Sequence, residues 1–103
     1  VAGMLFIVKG LPAIQDDSVI ISFILAAPEA HSVALVGDFN GWDKMKSPLK
    51  KSEEGIWQIS IKLKKGMVYT YNFVINGEEF VTDPTALINV DDGFGGESSL
   101  LKL

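Results

Sequence analysis

Paired carboxylates are the first candidates for chemistry in this chain, which carries thirteen acidic residues among 103 and sets some side by side, at Glu53-Glu54, Glu78-Glu79 and Asp91-Asp92. Two carboxyl groups facing each other across a glycosidic bond can share the acid and base work of hydrolysis. Adjacent positions do not achieve this. Neighbours on a strand point to opposite faces and neighbours in a turn are solvated, so neither arrangement perturbs a pKa as such chemistry requires. These pairs read as surface charge. The one histidine, His31, lies between two apolar runs, with no cysteine in the chain and no second histidine to share a metal. Asn89, Asp91, Gly93 and Glu97 faintly match a calcium loop, but that loop needs a third oxygen ligand where Gly93 stands and places its glutamate farther on. Gly93-Phe94-Gly95-Gly96 precedes an apolar segment with strand character, so no helix N-terminus follows to hold a phosphate. The sequence assigns no catalytic residue, no metal site and no cofactor, and an enzyme in its own right is not expected.

Aromatic and amide side chains remain. In Val33-Ala34-Leu35-Val36-Gly37-Asp38-Phe39-Asn40-Gly41-Trp42-Asp43 an apolar run ends in turn-forming residues, and a tryptophan sits among them. A tryptophan there is either folded back as a plug or offered to a ligand. A sugar ring has an apolar face of C–H groups and a rim of hydroxyls, which a flat exposed aromatic flanked by Asn, Ser, Thr or Lys can match. Trp42 beside Asn40, and Phe80 beside Thr82, have that makeup.

The elements that position them follow from composition and periodicity. One domain with one core fits this length, and 48% apolar with 21% charged residues is ordinary for a folded module. All nine basic residues are lysines and the net charge is -4, so no guanidinium is available for phosphates or guanine and nucleic acid is not an expected partner. Without cysteine the fold rests on packing, and the compartment stays unread. The chain begins Val1-Ala2-Gly3, and the apolar run Met4 to Val8 ends at Lys9-Gly10, short of the ~20 residues a membrane helix needs. Two readings stay open for residues 1–16: an edge strand or tail, or the end of an anchor or signal segment.

From Ser18 onward, apolar runs recur with Gly, Pro, Asn and Asp between them, the spacing of an all-β fold. Ser18 to Leu25 and Ser32 to Val36 read as strands. Trp57, Ile59, Ile61 and Leu63 alternate with polar residues, as do Met67, Tyr69, Tyr71, Phe73 and Ile75 with Val68, Thr70, Asn72 and Val74. The first set of each pair is expected in the core and the second on a wet face. Lys64-Lys65-Gly66 reads as a hairpin joining these two strands. Asn76-Gly77 reads as a type I′ turn into a third, Glu79 to Thr82. Ser98 to Leu103 is a last strand after the glycine-rich loop. The expected fold is an immunoglobulin-like β-sandwich of seven or eight antiparallel strands over residues 17–103, without the Cys and Trp signature of antibody domains.

Four segments in order, Val36-Gly37-Asp38-Phe39-Asn40-Gly41-Trp42, Gly55-Ile56-Trp57, Tyr69 to Gly77 (YTYNFVING) and Thr82-Asp83-Pro84, give the chain a specific likeness. It resembles the family-48 carbohydrate-binding modules, the early-set domains of isoamylases and branching enzymes and the glycogen-binding domain of the AMP-activated protein kinase beta subunit. The resemblance implies a non-catalytic domain that binds an α-1,4-glucan: glycogen, starch or maltodextrin. Its partners would be that polysaccharide and a catalytic domain or kinase subunit in a longer parent. Position by position, Trp42 falls on the family's first stacking tryptophan. Phe80 falls where kinase-type glycogen binders have their second. Asn72 takes the place of a lysine that bonds sugar hydroxyls, so that lysine restored at 72 is expected to tighten binding. Phe94 replaces a leucine that threads into the glucan helix, and Ser98 replaces an asparagine. Trp57 and Phe39 belong to the core. The rivals are an early-set domain that only docks to a catalytic domain, and a scaffold that binds another subunit.

Overall fold

The structure is a computed structural model that describes residues 17–103, and the reading of 1–16 as an edge strand, tail or anchor lies outside them. The described residues form eight strands: β1 (Ser18–Ala26), β2 (Val33–Gly37), β3 (Lys50–Lys51), β4 (Ile56–Lys64), β5 (Val68–Ile75), β6 (Glu79–Val81), β7 (Ile88–Asp91) and β8 (Glu97–Lys102), with one 3-10 turn at Asp38–Asn40. They make two antiparallel sheets, one in the order β1-β4-β3 and the other β2-β5-β8-β7 with β6 also on β5. This is the expected β-sandwich.

The core lies between the sheets, because each contributes one apolar face to it. Phe23 and Leu25 of β1 and Trp57 and Leu63 of β4 meet Val33 and Leu35 of β2 and Tyr71 and Phe73 of β5. Phe23 stands edge-on to Tyr71, with ring centroids 5.1 Å apart, and Phe39 leans on both Phe23 and Tyr69. Burying a ring such as Phe73 contributes roughly 2–3 kcal/mol. Trp57 keeps its polar edge satisfied in the core, donating Nε1–H to the Ala27 carbonyl at 2.9 Å.

Three expectations of the fold need correction. Val74, placed on a wet face by alternation, is 1% exposed, between Ala34 of β2 and Phe80 of β6 in the pairing register. Lys64-Lys65-Gly66 does not close a hairpin, since β4 pairs with β1 and β3 while β5 pairs with β2, β6 and β8. The turn carries the chain from one sheet to the other. The apolar faces of β4 and β5 then oppose each other across the core, whereas within one sheet they would lie side by side and still need a cover. Met67, placed in the core by alternation, is 48% exposed at this corner, where its carbonyl accepts from Leu103 N–H. The Asn76-Gly77 turn does form as expected, with positive φ at both residues and Glu78 N–H donating to the Ile75 carbonyl.

Candidate ligand-binding face

The face of the larger sheet that points away from the core carries Thr70, Asn72 and Val74 from β5, Val36 from β2, Phe80 from β6, Val90 from β7 and Ser98 from β8, as pairing register and side-chain alternation require. An open cavity of about 450 Å³ forms on it, closed at its rim by Asp38 and Trp42 on one side and by Asp91, Asp92 and Phe94 on the other. Trp42, Asn72, Phe80, Phe94 and Ser98, chosen from far-apart stretches of sequence, all border this one cavity.

Trp42 owes its position to a tightly wired turn. Asn40 accepts Gly37 N–H at its Oδ1 and donates from Nδ2 to the Leu35 carbonyl and to Ser47 Oγ, so its amide is consumed inside the turn and does not flank a ligand as its sequence position suggested. A side chain at Gly37 would meet the Thr70 carbonyl at 2.7 Å. Only glycine lets the turn lie that close to β5. Trp42 itself adopts φ +60°, a left-handed conformation uncommon for a bulky residue. Its N–H donates to the Gly37 carbonyl at 3.0 Å and its indole Nε1–H to Asp38 Oδ1 at 3.2 Å. The ring is half-buried, with one edge tied down.

Asn72 differs from the sequence expectation of a solvated amide. It is 3% exposed, although it lies on the outward face. The reason is topological: β8 pairs with β5 over Val68 to Tyr71 and β6 pairs with the same edge over Phe73 to Ile75, so Asn72 falls at the gap between them. Its Nδ2 donates to the Val81 carbonyl of β6 at 3.1 Å and to the Glu97 carbonyl of β8 at 3.0 Å, and its Oδ1 accepts from Ser98 Oγ at 2.7 Å. Ser98, also buried, is its partner. The pair staples two strand ends together and forms the floor of the cavity.

Phe80 and Phe94 are presented to solvent, 57% and 93% exposed. Phe94 rides a loop folded by its own aspartates: Asp91 Oδ1 accepts Gly93 N–H, and Asp92 Oδ1 accepts Phe94 N–H and Gly96 N–H. Asp38, Thr70, Val90, Asp91 and Asp92 were not singled out as site residues from sequence. Thr70 carried a usable signal, since it shares a strand face with Asn72. The aspartates carried none beyond nearness to Trp42 and Phe94. Among the described residues no basic side chain borders the cavity, and no His, Cys, Asp and Glu cluster could hold a metal ion.

Behind the site, Tyr71 donates its hydroxyl to Asp83 Oδ2 at 2.7 Å, and Asp83 Oδ1 accepts Thr85 N–H and Oγ1–H. Asp83 N–H is received by Ser99 Oγ. Burial first, then the bond to Asp83 and its negative charge, push the Tyr71 hydroxyl well above its ordinary value. This network anchors the Thr82-Asp83-Pro84 segment that follows Phe80 and β6.

The sequence profile of carbohydrate-binding module 48 (isoamylase N-terminal domain) matches residues 10–86. The chain belongs to this family. As a module-48 domain it is also similar to branching enzymes. It is 44% identical over 63 residues to the 1,4-alpha-glucan branching enzyme GlgB of Paramagnetospirillum magneticum, covering 59% of this chain and 8% of that enzyme. Against the enzyme of the same name from Desulfitobacterium hafniense it is 42% identical over 71 residues, 65% of this chain and 11% of the relative. The Fusobacterium nucleatum enzyme gives 44% over 69 residues, 62% of this chain and 11% of the relative. The module therefore spans only about a tenth of the length of these curated relatives.

Proposed function

We propose that this domain binds α-1,4-linked glucan without hydrolysing it, and that it serves a glucan-processing parent of the branching-enzyme kind. The observation that carries the reading is the grouping of Trp42, Phe80 and Phe94 around one cavity, with the Trp42 indole tethered and the two phenyl rings exposed. A tethered ring loses little further freedom when a sugar stacks on it, which favours affinity. Trp42 and Phe80 take the apolar faces of successive glucose units, and Phe94 closes over the edge of the chain. Asn72 and Ser98 act through the floor they hold in shape, because their polar atoms already serve each other and the strand ends.

An open aromatic site of this kind is expected to bind with a dissociation constant on the order of 10 μM to 1 mM. Calorimetric titration with maltoheptaose, with cello-oligosaccharide as control, tests it. Saturable binding of the α-linked sugar alone is the expected result, and no heat or retention on amylose overturns the reading. Release of reducing sugar by the purified domain would overturn its non-catalytic part.

A further inference from the structure

The polar rim of the cavity is anionic, and on the glucan-binding reading above we infer that the site selects against glucan carrying phosphate esters. Asp38, Asp91 and Asp92 border the cavity, and among the described residues no lysine does. Lys44, the lysine nearest in sequence to Trp42, gives its Nζ to the Gly77 carbonyl at 2.7 Å. Five of the nine lysines, Lys50, Lys51, Lys62, Lys64 and Lys65, belong to β3, β4 and the corner after β4, on the other sheet. The two sheets thus carry opposite charge, with the ligand face negative.

Asp91 and Asp92 also keep carboxylate oxygens open to sugar hydroxyls. Asn72 and Ser98 are engaged with each other, and Asp38 has both oxygens occupied, Oδ1 by Trp42 and Oδ2 by Thr70 N–H and Oγ1–H. Asp91 and Asp92 use Oδ1 to fold the loop, which leaves each Oδ2 without a hydrogen-bond partner among the described residues. An ionised carboxylate only accepts hydrogen bonds. It suits a ring of donating hydroxyls and repels a phosphate monoester, which carries a charge of about -1.5 to -2 near neutral pH. The rim therefore rewards unmodified glucose units and penalises a phosphate on the hydroxyls that face the loop.

The test compares maltoheptaose with its 6-phosphate ester by calorimetry, at low and at high ionic strength. With two to three like charges within a Debye length of the ester, the phosphorylated sugar should bind about tenfold more weakly at low salt and within about threefold of the neutral one at high salt. Asp91→Asn and Asp92→Asn together keep the Oδ1 acceptors that fold the loop, and should narrow the low-salt ratio to about threefold or less. Thermal melts establish that the variant is folded; should it not be, the salt dependence of the unmodified domain decides alone. Equal or tighter binding of the phosphate ester at low salt overturns the inference and leaves the glucan reading standing. Failure of neutral maltoheptaose to bind removes the glucan reading itself and the inference with it.

Discussion

Trp42 and Asp38 are joined by a hydrogen bond from the indole Nε1–H to Oδ1 at 3.2 Å, while the other oxygen of Asp38 accepts the backbone and hydroxyl protons of Thr70 at 2.7 and 3.1 Å. One carboxylate thereby fastens the half-buried ring to strand β5. Asp38→Ala is expected to weaken glucan binding by about 1 kcal/mol, since the freed ring must be ordered on binding, and to lower stability by roughly 1–3 kcal/mol through the lost charge-assisted bonds. Titration with maltoheptaose and a denaturant melt measure the two effects separately.

Trp42→Ala should cost roughly 2 kcal/mol or more of binding, as loss of an anchor aromatic does. Its φ of +60° adds a second expectation. Trp42→Gly should be more stable than Trp42→Ala by about 0.5–1 kcal/mol, because glycine adopts that conformation freely, yet it should bind no better. Parallel melts and titrations of both variants check this, and unchanged affinity in either would move the site off this face.

Phe80→Ala should cost less than Trp42→Ala, and Phe80→Trp should tighten binding by about 0.5–1 kcal/mol through added stacking area. Phe80 is 57% exposed, so neither change should disturb the fold. The same oligosaccharide titration ranks all of them.

Asn72→Lys, a change expected from the sequence to tighten binding, should instead destabilise the domain by about 2–4 kcal/mol. Lysine offers no acceptor for Ser98 and cannot reproduce the two carbonyl bonds from a site only 3% exposed, and it introduces a charge there. Urea midpoints of the two proteins give the difference. A more stable or tighter-binding lysine variant would show that the staple contributes little.

Tyr71 predicts a loss of stability in alkali. Its folded-state hydroxyl holds its proton more tightly than the ordinary value of 10.0, through burial and the bond to Asp83. The contribution is fully present below that value. As pH rises above it, the unfolded chain sheds a proton that the folded state keeps, and stability falls. Melts between about pH 8 and 12 should show a steeper alkaline decline in the unmodified domain than in Tyr71→Phe, which has no proton to lose there.

Alternation alone made Trp57 and Leu63, and Tyr71 and Phe73, legible as inward-facing, since a half-buried strand repeats every second residue. Asn76-Gly77 was legible as a type I′ turn because both positions take positive φ. Local chemistry likewise marked Trp42 as a ring outside the core, among residues that build turns. What the sequence by itself could not determine depended on which strands become neighbours. The alternation of β4 and β5 is the same whether they share a sheet or face each other across the core, and only the pairing of β4 with β1 and β3 decides between these. Asn72 occupies an outward position on either view, yet it became a buried staple because β6 and β8 meet one edge of β5 on either side of it. The anionic rim arose in the same way, from Asp38 and from Asp91 and Asp92, brought to one cavity by two loops far apart in the chain. Periodicity and turn preference act over a few residues and can be read along the chain, whereas hydrogen-bond satisfaction and charge clustering depend on contacts between distant segments and exist only once the sheets have packed.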